Sequence, residues 1–146
     1  MAKEIDFPPV WLAAFGALGG LVGRLWPISF PYHTEIGAIL VLVGLLLIGI
    51  AVLQMMIART TVMPRRESTS LITGGIFRLT RNPIYLGDAL VLAGLLVHWQ
   101  SALALPLVPI FMGVIYRRFI TREEAILTRD YGVLYTEYAA RTRRWI

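Results

Sequence analysis

The fold is decided by residues 36–58, which read IGAILVLVGLLLIGIAVLQMMIA. Gln54 is the only strongly polar side chain among these twenty-three residues. At ~1.5 Å of rise per residue, a helix of this length crosses the ~30 Å hydrocarbon core of a bilayer. The stretch therefore predicts a transmembrane helix.

The composition of the whole chain also predicts a membrane protein. Hydrophobic residues make up 57% of the 146 residues and charged residues 16%, and the mean hydropathy is +0.67. Such values are hard to accommodate on a water-exposed surface. The absence of cysteine excludes disulfides, thiolate metal sites and a cysteine nucleophile. Because His33 and His98 are isolated in the sequence, we assign no metal site to them.

Three further apolar runs accompany the central one. We predict a single domain, 1–146, with an all-α fold: a polytopic membrane helix bundle of four transmembrane helices followed by a C-terminal cytoplasmic amphipathic helix. The predicted spans are about 10–26, 36–58, 84–98 and 102–119, and the last two form a tight helical hairpin. A cleaved signal peptide is the alternative for the first run. We favour a retained helix because no small-residue cleavage site follows it.

Arginine supplies thirteen of the fourteen basic residues, and its distribution is uneven. Five arginines lie in 59–83 and seven in 117–146, whereas 27–35 and 98–101 have none. By the positive-inside rule, the loop 59–83 and the tail 120–146 face the cytoplasm, so both termini are cytoplasmic. Contact with lipid headgroups accounts for the net charge of +5, and we expect no nucleic-acid partner.

Two short motifs precede the third span. Thr73-Gly74-Gly75 predicts a backbone turn. Arg81-Asn82-Pro83 predicts a helix start, with Asn82 as the N-cap and Pro83 in the first helical position. Taken alone, such a start is usually only structural.

The first turns of the third span carry polar side chains into an apolar segment. Tyr85 and Asp88 lie three residues apart on one helical face, and Gly87 allows close backbone approach. A carboxylate inside an apolar span is costly and is usually functional or paired. Asp88 therefore favours a functional interpretation of this segment.

A second polar cluster follows the fourth span, where Arg122, Glu123 and Glu124 continue the helix beyond the membrane. A solvated, salt-bridged extension is the simpler interpretation of this cluster. Beyond it, an aromatic and aliphatic stripe recurs at helical spacing: Leu127, Tyr131, Leu134, Tyr135 and Tyr138. This amphipathic stripe could lie on the headgroups or fold back over the membrane mouth as a lid.

Together these segments resemble the integral-membrane methyltransferases grouped around isoprenylcysteine carboxyl methyltransferase and the phospholipid N-methyltransferases. The resemblance covers about 36–146. In that family a turn like 73–75, an Arg-(His or Asn)-Pro-x-Tyr-x-Gly block and a Glu-Glu pair followed by an aromatic-Gly-x-x-Tyr-x-x-Tyr segment enclose S-adenosylmethionine. This chain has all three in order, at 73–75, at 81–87 and at 123–138. Asn82 stands where the isoprenylcysteine enzymes have His, as it does in phospholipid-type relatives.

The resemblance implies S-adenosylmethionine-dependent methyl transfer, at the cytoplasmic face, to a lipophilic acceptor embedded in the membrane, either an isoprenoid carboxylate or a lipid amine. The cofactor's cationic groups need carboxylates, its carboxylate needs donors and its base needs an aromatic wall. The implied cofactor-binding residues are Thr73, Gly74, Gly75, Arg81, Asn82, Pro83, Tyr85, Gly87, Glu123, Glu124 and Tyr135. As catalytic residues we expect Arg122 to orient a carboxylate acceptor, or Asp88 or Glu124 to deprotonate an amine. The expected partners are the lipophilic substrate and membrane lipids, without a metal.

The alternative is a small four-helix membrane transporter or a non-enzymatic membrane subunit. A proton-coupled exporter needs a carboxylate in a pore-lining helix, and the first two spans have none. A reductase is a further alternative, but no G-x-G-x-x-G motif for a dinucleotide is present. Binding of S-adenosylhomocysteine would separate the methyltransferase from both.

Overall fold

The computed structural model describes residues 6–59 and 70–146, and all of the regular structure in these two ranges is helical. Six α-helices are numbered in chain order. They are α1 Pro8–Leu25, α2 His33–Ile57, α3 Pro83–His98, α4 Leu107–Ile115, α5 Thr121–Tyr131 and α6 Val133–Arg141. Short 3-10 turns occupy Gly75–Arg78 and Ala102–Ala104, and a π-helical turn, Tyr116–Ile120, joins α4 to α5. Part of the predicted cytoplasmic loop, including Arg65 and Arg66, lies outside the described residues.

Three helical stretches in the described residues are long and apolar enough to cross a membrane. They are Pro8–Leu25, His33–Ile57 and Ala102–Tyr131, the last of which includes α4, the π-helical turn and α5. The predicted third span is present as α3, but its 16 residues measure about 24 Å at ~1.5 Å per residue. This is less than the ~30 Å hydrocarbon core. The structure therefore shows an all-helical bundle with three candidate membrane spans in the described residues, where the sequence predicted four.

The short helix α3 forms the centre of the bundle. Eleven of its sixteen residues are buried, including Leu92 and Leu96. It packs most extensively against α2, and glycines on both helices permit the close contact. A Cβ added to Gly44 would lie 2.6 Å from the Gly87 carbonyl oxygen. One added to Gly94 would lie 2.7 Å from the Gly37 carbonyl oxygen. Gly87 thus brings two helix backbones together.

Two ends of the bundle can be distinguished by their contacts. At one, which we call the charged end, Arg118 donates hydrogen bonds of 3.1 and 3.3 Å to the Asp6 carboxylate. At the other, the hairpin end, the Ile28 amide donates to the Gln100 carbonyl at 2.8 Å. The C-terminal segment also lies at the charged end, since the Arg144 guanidinium is 4.8 Å from the ring centroid of Tyr116. The first and last described residues therefore lie at the same end.

The tail differs from a single amphipathic helix. Gly132, at φ 52°, separates α5 from α6, so the predicted stripe does not run along one face. Tyr135 and Tyr138 are buried, whereas Leu134 is 65% exposed. The π-helical turn Tyr116–Ile120 further changes the helical register ahead of α5. These two irregularities turn the tail back toward the start of α3.

Candidate functional site

A cavity of about 120 Å³ lies at the charged end. Its walls come from the chain just before α3, from α5 and from α6, with Met55 of α2 and residues 70–72 completing them. The polar and aromatic lining consists of Phe77, Arg81, Asn82, Glu123, Glu124, Tyr135 and Tyr138. The motifs that are distant in sequence therefore meet in one cavity.

Arg81 forms the cationic part of the wall. Its Nη1 donates to the Tyr135 hydroxyl at 3.4 Å and lies 3.4 Å from Glu124 Oε1. Its Nε is buried and has no hydrogen-bond partner in the described ranges 6–59 and 70–146. A buried donor without a partner costs free energy. Arg81 thus lies in the cavity wall with one buried N–H that has no hydrogen-bond partner among the described residues.

The two neighbouring carboxylates have different surroundings. Glu123 Oε1 accepts a 2.6 Å hydrogen bond from the Tyr85 hydroxyl. Glu124 accepts a paired interaction from Arg144, whose Nε and Nη2 donate at 2.8 and 2.9 Å to its two oxygens. Hydrogen bonding to Glu124 raises the pKa of the Arg144 guanidinium above its ordinary value. Glu124 is therefore held by two arginines, and Glu123 by a neutral phenol.

Asn82 occupies the N-cap position that the sequence predicts, but its side chain does not cap the helix. Its Nδ2 donates instead to the Arg144 carbonyl oxygen at 2.9 Å. Thr80 Oγ1 donates to the same oxygen at 3.2 Å and accepts from the Asn82 amide at 3.2 Å. The expected side-chain cap is thus replaced by an anchor for the C-terminal segment.

The turn Thr73-Gly74-Gly75 is tied to α2 by Gln54. Gln54 Oε1 accepts a 2.9 Å hydrogen bond from the Ile76 amide. Gly75 has φ 58°, and a Cβ at this position would overlap the Gln54 side chain. Glycine is therefore required there by conformation and by space. Thr73, Gly74 and Gly75 are themselves exposed and adjoin the cavity through residues 70–72.

Two tyrosines of α6 complete the wall. The Tyr138 hydroxyl donates to the Phe77 carbonyl oxygen at 2.6 Å. Burial and, secondarily, the neighbouring Tyr135 raise the pKa of Tyr138 to about 12. Burial and the Glu124 charge likewise raise the pKa of Tyr135, although Arg81 opposes this shift. Both phenols are therefore neutral hydrogen-bonding groups at physiological pH.

The structure brings together some of the candidate residues and not others. Arg81, Asn82, Glu123, Glu124 and Tyr135 line the cavity, and Tyr85 reaches it through Glu123. Pro83 and Gly87 are buried within the helix packing, Asp88 is 6% exposed inside α3, and Arg122 is exposed on α5. None of these four lines the cavity.

The residues of the site that sequence reasoning missed include Gln54, Phe77, Thr80, Tyr138 as a hydrogen-bond donor, and Arg144. Gln54 had a detectable signal, because it is the single strongly polar residue of an apolar span. Tyr138 was visible only as part of the stripe. Arg144 is one of several tail arginines, and no local pattern distinguishes it.

A family model described as phospholipid methyltransferase matches residues 32–133. This chain belongs to the phospholipid methyltransferase family. Searches of curated proteins and of solved structures give no match. The predicted family is thereby confirmed, and membership implies methyltransferase activity on membrane lipids. Together with the three long apolar helices it supports an integral membrane protein.

Family membership favours the enzyme over the transporter that the sequence left as an alternative. The matched range includes the turn, the block before α3 and the Glu-Glu pair, but it ends at the first residue of α6. The described ranges 6–59 and 70–146 contain no cluster of three or more His, Cys, Asp or Glu residues that could hold a metal ion. Tyr135, Tyr138 and Arg144 thus belong to the cavity region without belonging to the matched range.

Proposed function

We propose that this phospholipid methyltransferase family member transfers a methyl group from S-adenosylmethionine to a lipophilic acceptor in the membrane, at the cytoplasmic face. The observation that carries the proposal is the cavity at the charged end, where a guanidinium, two carboxylates and aromatic rings converge. These are the groups that a zwitterionic ligand with an additional cationic centre and an aromatic base requires.

The cavity residues fit this cofactor through complementary charges. The Arg81 guanidinium, which lines the cavity, suits a carboxylate. Glu123 accepts from Tyr85 through one oxygen and can offer the other to an ammonium group or ribose hydroxyls. Tyr135 and Phe77 provide aromatic surface for the base. When bound, S-adenosylmethionine supplies an electrophilic methyl group on a sulfonium.

The enclosed space suits part of such a ligand. Small-molecule pockets commonly measure ~300–1,000 Å³, whereas this cavity has about 120 Å³. We propose that the polar end of the cofactor is held in the enclosed part, against Arg81 and Glu123, and that the remainder extends through the opening.

Methyl transfer is an in-line displacement, so the chain's main tasks are to position the acceptor and to exclude water. The buried phenol Tyr138 and the apolar side chains Met55 and Leu127 line the cavity and would limit water around a bound ligand. A lipid acceptor would approach from the bilayer, along the apolar helices that adjoin this end.

The acceptor's chemistry decides whether a base is required. A carboxylate is ionised at neutral pH and needs only orientation, for which Arg122 is the candidate. An amine must lose a proton first, and Asp88 and Glu124 are the candidates. Asp88 is buried in α3 and Arg122 is exposed on α5. Asp88 or Arg122 could act only on an acceptor that reaches beyond the cavity wall, whereas Glu124 is part of that wall.

The test combines cofactor binding with product analysis. Isothermal titration of detergent-solubilised protein with S-adenosylhomocysteine should show saturable binding, and Glu123→Gln should weaken it about tenfold, because a charge-assisted contact is lost. Glu137→Gln, an exposed position on α6, is the matched control and should bind normally.

Radiolabelled S-adenosylmethionine should then transfer label to the lipid phase of a membrane extract. Absence of binding by the wild-type protein would refute the cofactor. Label confined to soluble molecules or protein would refute the lipophilic acceptor.

A further inference from the structure

We infer that Arg144 is a positioning residue of the cofactor cavity, and that residues 142–146, the C-terminal strap, are part of the site. The strap lies beyond the range matched by the family. The inference rests on the proposed function only for the identity of the ligand. Its structural basis is the set of contacts that Arg144 makes with the segments bearing the cavity.

Arg144 joins two segments that line the cavity, and it also contacts the π-helical turn. Its guanidinium donates two hydrogen bonds, at 2.8 and 2.9 Å, to the two oxygens of Glu124 on α5. Its backbone carbonyl accepts from Thr80 and Asn82, which precede α3. Its Cζ lies 4.8 Å above the ring of Tyr116, in the π-helical turn. A paired guanidinium–carboxylate contact fixes direction as well as distance, so Arg144 sets how Glu124 faces the cavity.

The orientation of Arg81 depends on the same contact. Glu124 Oε1 is shared, lying 2.8 Å from Arg144 Nε and 3.4 Å from Arg81 Nη1. If the Arg144 side chain were removed, Glu124 would be free to pair closely with Arg81. Arg81 would then turn its donors toward the carboxylate and away from the Tyr135 hydroxyl, so the guanidinium that lines the cavity would be less available to a ligand. Because Arg144 pairs with both oxygens of Glu124, Arg81 is left able to bind a ligand in the cavity.

The strap has other attachments that do not need the Arg144 side chain. The Thr142 amide donates to the Tyr138 carbonyl at 3.0 Å, and Thr142 is 7% exposed. Trp145 is partly buried against the hydrophobic core. The Arg81 amide donates to the Arg143 carbonyl at 3.0 Å. Truncation of the Arg144 side chain should therefore leave the strap in place and change the orientation of Glu124 and Arg81.

The experiment compares Arg144→Ala, Arg144→Lys and the control Arg141→Ala, which removes the same charge from an exposed position three residues earlier. Titration with S-adenosylhomocysteine should show about tenfold weaker binding for Arg144→Ala. Arg144→Lys, which keeps the charge but not the paired geometry, should be intermediate, and Arg141→Ala should match wild type. Methyl transfer by Arg144→Ala should show the loss mainly in KM for S-adenosylmethionine, with kcat less affected.

Chemical rescue separates positioning from folding. Guanidinium ion at millimolar concentration should restore part of the affinity of Arg144→Ala, with no effect on Arg141→Ala. Wild-type affinity in Arg144→Ala would overturn the inference. An equal loss in the Ala and Lys variants, without any rescue, would also overturn it and assign Arg144 a purely structural role. Failure of the wild-type protein to bind S-adenosylhomocysteine would instead refute the proposed function.

Discussion

The charged end and the hairpin end of the bundle are held together by different kinds of contact. At the hairpin end, small residues allow close packing: a Cβ added to Gly23 would overlap Ser101 Oγ and lie 2.8 Å from the Trp99 carbonyl oxygen. At the charged end, contacts run through guanidinium, carboxylate and phenol groups around a cavity. Close packing leaves no room for a ligand, whereas polar side chains can exchange protein partners for ligand atoms. The hairpin end therefore serves stability, and the charged end is suited to binding.

The largest expected effect is topological, because the arginine distribution predicts that the two ends lie on opposite sides of the membrane. The chain has no cysteine, so single cysteines can be introduced at position 33, near the hairpin end, and at position 141, in the last turn of α6. A membrane-impermeant maleimide should label His33→Cys only from outside and Arg141→Cys only from the cytoplasmic side. Labelling of both positions from the same side would break the comparison.

The second prediction concerns binding at the charged end. Arg81→Gln should weaken S-adenosylhomocysteine binding by about ten- to a hundredfold, because a charge-assisted hydrogen bond contributes ~1.5–3 kcal/mol. Folding should persist, since Glu124 keeps its paired contact with Arg144. The matched control is Arg78→Gln, an exposed position in the same connection. Equal affinities for the two variants, measured by isothermal titration, would remove Arg81 from the site.

Local sequence patterns predict much of the scaffold. The span predicted at 36–58 is observed as His33–Ile57, and the helix start predicted at Pro83 is observed there. Hydrophobic length and an Asn-Pro start are local signals, which tertiary contacts do not alter in these two cases. Five of the candidate site residues also line one cavity: Arg81, Asn82, Glu123, Glu124 and Tyr135.

The remaining features depend on partners that are distant in sequence. Asn82 and Arg144 are sixty-two positions apart, so nothing near Asn82 indicates that its side chain leaves the cap. The π-helical turn Tyr116–Ile120 and the break at Gly132 decide which face of the tail meets α3. The stripe was predicted from a regular spacing of 3.6 residues per turn, and such a spacing assumes a helix without a π-helical turn or a break.

The third prediction tests the hairpin end. Gly23→Ala should destabilise the solubilised protein by on the order of 1–3 kcal/mol, because the added methyl group overlaps Ser101 and approaches a backbone carbonyl. The matched control is Gly16→Ala on the same helix, where a Cβ would meet nothing within 4 Å. Thermal unfolding should show a lower midpoint for Gly23→Ala alone. Below the midpoint, its affinity for S-adenosylhomocysteine should remain that of wild type, and a selective loss of binding would contradict the division between the ends.

The smallest expected effect concerns one buried hydrogen bond at the charged end, and it tests whether this end also contributes to stability. Tyr138→Phe removes the donor to the Phe77 carbonyl and should cost about 1 kcal/mol of folding stability at neutral pH, the usual contribution of one hydrogen bond.

In the wild type, the stabilisation by Tyr138 should also change with pH in the alkaline range. Because burial raises the pKa of Tyr138 from 10.0 to about 12, the folded state favours the neutral phenol. The contribution is complete below pH ~10, the pKa of an unperturbed tyrosine, and is lost as pH rises through about 12. Thermal unfolding across this range should show a steeper decline for wild type than for Tyr138→Phe. The control Tyr32→Phe, at a residue 74% exposed near the hairpin end, should follow the wild-type curve. Parallel curves for wild type and Tyr138→Phe would show that this phenol does not stabilise the charged end as a buried donor.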